Sequence, residues 1–130
     1  MKKDIPQKKV QDLAIAVVPR DGDLWDVYVI NLKDEPIKNV LINSKGYGSI
    51  NNEAVETTVL RHFFPSIGPL ELHKIEPIAK EVLVLTNEYW VSFNHGDYMF
   101  DKKYVFVKGS IDPMNFTLIP FLNEQGVMIR

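Results

Sequence analysis

The feature that most constrains this chain is its rhythm. Short runs rich in β-branched and aromatic residues recur along it, separated by clusters of Gly, Pro, Asn and Asp. Eight such runs cover residues 10–18, 25–32, 37–44, 55–63, 70–78, 89–93, 98–107 and 116–121. Runs of this length suit strands better than packed helices, and their even spacing predicts an all-β fold, an antiparallel immunoglobulin-like β-sandwich of about eight strands. Only residues 77–85 break the pattern, where Ala79, Lys80, Glu81, Val82 and Leu83 suit a single helical turn used as a connector.

The breaks between runs have turn chemistry. Asp21-Gly22-Asp23, Lys33-Asp34-Glu35-Pro36 and His95-Gly96-Asp97 supply residues that tolerate or preset turn dihedrals. The tightest, at His95-Gly96-Asp97, predicts a hairpin joining runs 89–93 and 98–107. Alternation within the runs assigns faces, because successive strand side chains point to opposite sides. Tyr89, Val91 and Phe93 then share a core face, whereas the run 25–32 is apolar on both faces and reads as a central strand.

A chain of 130 residues, 45% hydrophobic and 25% charged, can bury one core without metal or disulfide support. Residues 1–9 read as a polar tail and 10–130 as one sandwich domain. Fifteen Lys and Arg against seventeen Asp and Glu leave a net charge of -2, which argues against nucleic acid as a partner. The lack of cysteine excludes disulfides, thiolate zinc sites and a cysteine nucleophile, and suits a reducing cytosol. Lys2, Lys3, Lys8 and Lys9 before the apolar stretch 13–18 imitate a secretory signal, but the stretch is short, closed by Asp12 and Pro19, and followed by no small-residue cleavage site. The expectation is a cytoplasmic protein with no membrane attachment.

Several polar clusters bear on chemistry. Ser44-Lys45-Gly46-Tyr47-Gly48-Ser49 has the glycines and the cation of a phosphate-binding loop, yet not the Walker spacing or the following helix, and it reads as a glycine-bearing loop leaving a strand. His62, His73 and His95 lack the paired spacing of a zinc site, so no metal is expected, although His62 and His73 lie on neighbouring runs that can meet across a sheet. No Gly-x-Ser-x-Gly elbow occurs. The carboxylate pairs Glu71 with Glu76 and Asp97 with Asp101 read first as solvated surface groups, and Asp101-Lys102-Lys103 as a charged strand edge. No catalytic residue and no cofactor is therefore assigned.

Two candidate surfaces remain. Lys45, Tyr47, Arg61 and His62 form a cationic set suited to a phosphate or carboxylate ligand, provided that their runs are neighbours in space. Phe63 and Phe64 are adjacent aromatics that cannot both point inward from a regular strand, so one of them is a candidate for an interface with a second copy or another protein.

The segments Trp25-Asp26-Val27-Tyr28-Val29-Ile30-Asn31, Glu35-Pro36-Ile37, Val40-Leu41-Ile42, Ser44-Lys45-Gly46, Thr57-Thr58-Val59-Leu60-Arg61-His62, Lys74-Ile75-Glu76, Asn87-Glu88, Ile119-Pro120 and Gly126-Val127 together form a further pattern. It resembles a family of short uncharacterised bacterial proteins over nearly the whole chain after the tail. Some members of that family carry the label phenylalanyl-tRNA synthetase alpha subunit. The residues give that label no support, since a synthetase catalytic domain needs a much larger mixed fold. The resemblance implies a fold and no catalytic residues. The leading expectation is a non-enzymatic binding or interaction domain that is able to pair with itself. The alternative is a binder of small anions.

Overall fold

The computed structural model of the chain describes residues 9–130. The polar tail expected over residues 1–9 therefore lies, apart from Lys9, outside the described residues. Ten strands run in chain order: β1 (Leu13–Pro19), β2 (Leu24–Asn31), β3 (Ile37–Ile50), β4 (Glu53–Glu56), β5 (Leu60–Ile67), β6 (Leu72–Ala79), β7 (Thr86–His95), β8 (Tyr98–Phe106), β9 (Thr117–Ile119) and β10 (Glu124–Ile129). They form two sheets. One has the order β6-β2-β1-β10-β9; the other has the order β4-β3-β7-β8, with β5 also paired to β3. Every pairing is antiparallel. The architecture is the expected all-β sandwich.

The apolar patterning explains the layers. In β1, Leu13, Ile15 and Val17 point into the main core between the sheets, where they meet Val29, Ile42, Val91, Phe93 and Phe106. The alternate residues Ala14, Ala16 and Val18 lie on the other side, in a second apolar cluster with Tyr28, Ile30 and Ile119. Both faces of β1 are thus covered. β2, held between β1 and β6, is likewise buried on both faces from Asp26 onward, as its two-sided apolar pattern predicts. The Tyr104 hydroxyl donates to the Leu13 carbonyl at 2.6 Å and ties the two sheets together.

The turns follow their chemistry. β7 and β8 pair up to His95↔Tyr98 around Gly96-Asp97. Gly96 has φ +61° while Asp97 keeps an ordinary negative φ, the pattern of a type II′ hairpin turn. A 3-10 turn at Lys80–Val84, with no buried residue, fills the place of the expected helical connector. Among the described residues no helix is long and apolar enough to cross a membrane.

The strand count departs from eight at three places. Residues 44–49 are not a loop leaving a strand but belong to the second half of β3, which runs on to Ile50 and turns back as β4. Asn51 and Asn52, with φ of +53° and +66°, form the two-residue turn between them, as asparagine tolerates the left-handed region. The run 55–63 is two strands, because the chain leaves the sheet at residues 57–59. Finally, Glu124–Ile129 forms a strand that the sequence reading did not mark, lying between β1 and β9. Its Gly126 sits where a Cβ would come within 2.6 Å of the Val17 carbonyl.

Candidate functional site

The register of β5, β3, β7 and β8 places the sequence-derived candidates. Asn43 lies opposite Arg61 and Trp90, and Trp90 opposite Lys103; one step along, Leu41 lies opposite Phe63 and Ser92, and Ser92 opposite Asp101. These side chains alternate with the buried Val40, Ile42, Ser44, Tyr89 and Val91, so they project from the outer face of the sheet. Two adjacent rows of side chains thus cross four strands. Phe63 is 57% exposed, Trp90 44% and Leu41 37%.

Lys45 and Tyr47 continue along β3 on this same outer face. Lys45 pairs with Glu56 at 3.7 Å and lies over the Tyr47 ring at 5.6 Å from its centroid. Lys103 lies over Trp90 at 4.9 Å and pairs with Glu88 at 3.7 Å. The Arg61 guanidinium has neither a hydrogen bond nor an ion pair among the described residues. Beside it the Asn43 Oδ1 is buried with no donor among the described residues. The structure therefore brings Lys45, Tyr47 and Arg61 onto one face, with Phe63 next to them.

His62 and Phe64 point the other way. In β5 they oppose the buried Ile42 and Val40, and Phe64 packs on the His73 ring at 5.4 Å. Only one of the two adjacent aromatics is exposed, as strand alternation requires. His62 leaves the cationic set altogether: its Nε2 lies 2.7 Å from Glu76 Oε1. The same oxygen accepts from the Ser44 hydroxyl at 2.8 Å, and Oε2 accepts from the Tyr89 phenol at 3.1 Å. Glu76 is 8% exposed. With an ionised carboxylate, the His62 Nε2 carries the proton in this contact.

Glu76 faces inward because β6 is bulged. Lys74 pairs with Tyr28 and Glu76 with Val27, which leaves Ile75 as the extra residue. Lys74 reaches Asp26, 3.1 Å away, whereas both Ile75 and Glu76 are buried. A regular strand would send Lys74 and Glu76 to the same side; the bulge re-aims Glu76 into the sandwich. The carboxylate forms part of the wall of a cleft of about 300 Å³, which also includes Ser44, Gly46, Thr58, Ile78 and Tyr89. Burial first, and then the Glu76 charge, push the Tyr89 phenol well above its usual range.

The other polar candidates separate. Glu71 accepts from the Gly68 amide at 2.9 Å and lies 3.4 Å from His73, so it forms no pair with Glu76. His62 and His73 do not form a pair: His62 lies on Glu76, whereas His73 lies on Glu71 and against the Phe64 ring. His95 faces Glu35 at 3.1 Å. Each histidine thus has its own glutamate. Sequence reasoning put Trp90 on the face opposite the core without singling it out as a candidate, and it missed Glu76 as a buried group. Alternation opposite Tyr89 and Val91 carried the signal for the first, and nothing local carried it for the second. No protein-family model matches this chain, and no curated protein is significantly similar to it.

Proposed function

We propose that this protein is a non-enzymatic interaction domain that pairs with a second copy of itself through the outer face of β5, β3, β7 and β8. The observation carrying this reading is the contiguous strip Phe63, Leu41 and Trp90, exposed across three neighbouring strands. Clustered apolar exposure of this kind marks contact surfaces, and tryptophan flanked by cations is a frequent anchor in them. The charges around the strip balance: Lys45, Arg61 and Lys103 stand against Glu56, Glu88 and Asp101. Such a surface is self-complementary and does not select a strongly charged partner.

The strand edges favour a face over an edge as the contact. Pro65 interrupts β5, Pro77 and the bulge interrupt β6, β4 and β9 are short, and β8 carries Asp101, Lys102 and Lys103. Each of these features discourages pairing with another chain. An immunoglobulin-like sandwich in the bacterial cytoplasm, related to the family that the sequence resembles, is the setting in which we read this function.

Sedimentation velocity over a wide concentration range tests the proposal. A reversible dimer is expected for the native chain, with a shift to monomer for Trp90→Ala and Phe63→Ser and no loss of fold, since both side chains lie on the solvent face, outside the core. A native chain that stays monomeric at its highest soluble concentration would refute self-pairing. Arg61, which has no hydrogen bond or ion pair among the described residues, favours a second reading, a small anionic ligand held by Arg61, Lys45 and Tyr47. Stabilisation of the native protein by inorganic phosphate, lost in Arg61→Gln, is the result expected from it.

A further inference from the structure

A second site, independent of the outer face, lies where the sandwich is open. β4 and β5 both pair with the same side of β3, and between them residues 57–59 leave the sheet. Thr57 is held to Gly46 by two contacts of 2.8 Å: its amide donates to the Gly46 carbonyl, and its Oγ1 accepts from the Gly46 amide. Beneath this gap is the cleft described above. Leu60, Ile78, Ala79 and Val82 contribute its apolar surface, while Glu76, Ser44 and Tyr89 supply its polar groups. The volume of about 300 Å³ lies at the small end of ordinary ligand pockets.

The charge in this cleft decides what it accepts. Among the described residues no Lys or Arg pairs with Glu76; its contacts are two neutral hydroxyls and the His62 imidazole. Lys45 is also part of the cleft's lining, but its side chain belongs to the outer face, where the ammonium pairs with Glu56 at 3.7 Å. A buried carboxylate held by donors from three different strands is fixed in place, and a low-dielectric wall strengthens its pull on a cation. An anion is repelled by the same carboxylate. Its three contacts leave acceptor capacity on an oxygen pair that has about four lone-pair sites.

We propose that this cleft binds a small ligand with an ammonium group on an apolar body, the ammonium seated on Glu76 and the body against Leu60, Ile78 and Val82. The β6 bulge is the device that builds the site, since it alone turns Glu76 inward. Bulges of this kind are common beside functional sites.

The test is amide-detected NMR titration of the native chain with benzylammonium, using benzyl alcohol and benzoate as matched neutral and anionic probes. Saturable shifts are expected at Gly46, Thr57, Thr58 and Asn87 with benzylammonium, with an affinity on the order of millimolar for so small a probe. Glu76→Gln, which keeps the shape and one acceptor oxygen but removes the charge and turns the second acceptor into a donor, should weaken binding about tenfold or more. Leu60→Lys, a change at a half-exposed position in the cleft, should also abolish binding by placing a competing cation there, and covers the case in which Glu76→Gln fails to fold. Equal binding of benzyl alcohol or benzoate, no saturable shift with any probe, or unchanged benzylammonium affinity in folded Glu76→Gln would each overturn the proposal. Because the readout residues line the cleft and not the outer face, failure here leaves the dimer reading standing, and the reverse also holds.

Discussion

Asn31 shows how one side chain can fix a connection. It is fully buried, and its Nδ2 lies within 2.9 Å of the Glu35 and Gly68 carbonyls and 3.3 Å of that of Ile67, while its Oδ1 accepts from the Lys33 amide at 3.0 Å. It therefore satisfies backbone groups from two separate loops around one buried amide. Asn31→Ala strands several of them, and a loss of about 3 kcal/mol is expected in urea unfolding. Tyr89 and Tyr104 act at the same scale through ionisation. Burial raises both phenols above the ordinary value, with Glu76 adding to the effect on Tyr89. Below about pH 10 both folded and unfolded chains keep these phenols neutral; above it the unfolded chain ionises first. Stability should therefore fall as pH rises beyond that point, by up to about 1.4 kcal/mol per pH unit for each tyrosine. Unfolding curves of Tyr104→Phe should fall less steeply with pH than those of the native chain. Equal slopes would show that Tyr104 does not contribute.

At the scale of elements, two backbone features carry consequences. The Asn51-Asn52 turn holds both residues at positive φ, which glycine adopts without a Cβ penalty. Asn52→Gly should raise the melting temperature slightly, whereas Asn52→Ala should cost about 1 kcal/mol, measured by thermal unfolding. Gly126 in β10 is required for a different reason, close approach to β1. A Cβ there meets the Val17 carbonyl at 2.6 Å and Val18 Cγ2 at 3.0 Å. Gly126→Ala should destabilise the fold by about 2 kcal/mol, because the obstacle is backbone in the middle of a sheet. An alanine variant as stable as the native chain would mean that β10 can shift away from β1.

The whole molecule offers two working regions with different physics. One is the solvent-facing strip of aromatics and balanced charges on which the proposed self-pairing rests; the other is a recessed carboxylate under the interrupted edge. They share β3 and β5, whose alternate residues serve the two sides: Asn43, Lys45, Arg61 and Phe63 outward, Ser44 and His62 inward. Strand alternation is what divides the Arg61-His62 pair, adjacent in sequence, between them.

Much of this was legible in the chain itself. β-rich runs separated by turn residues determined an antiparallel sandwich, two-sided apolarity put β2 in the middle of a sheet, His95-Gly96-Asp97 marked a hairpin, and the adjacency of Phe63 and Phe64 required one of them to face out. All of these follow from local dihedral preference and a two-residue period. β10 escaped notice because Gly126 breaks its pattern, and that glycine makes sense only once β1 is packed against it. The Asn-Asn turn had its signal, yet the glycines on β3 masked the strand leading into it. The inward turn of Glu76 is a matter of register between β6 and β2, and its meeting with Ser44, His62 and Tyr89 joins strands from two sheets. No local period encodes such a meeting, because the extra residue of a bulge is defined only by the partner strand it fails to match.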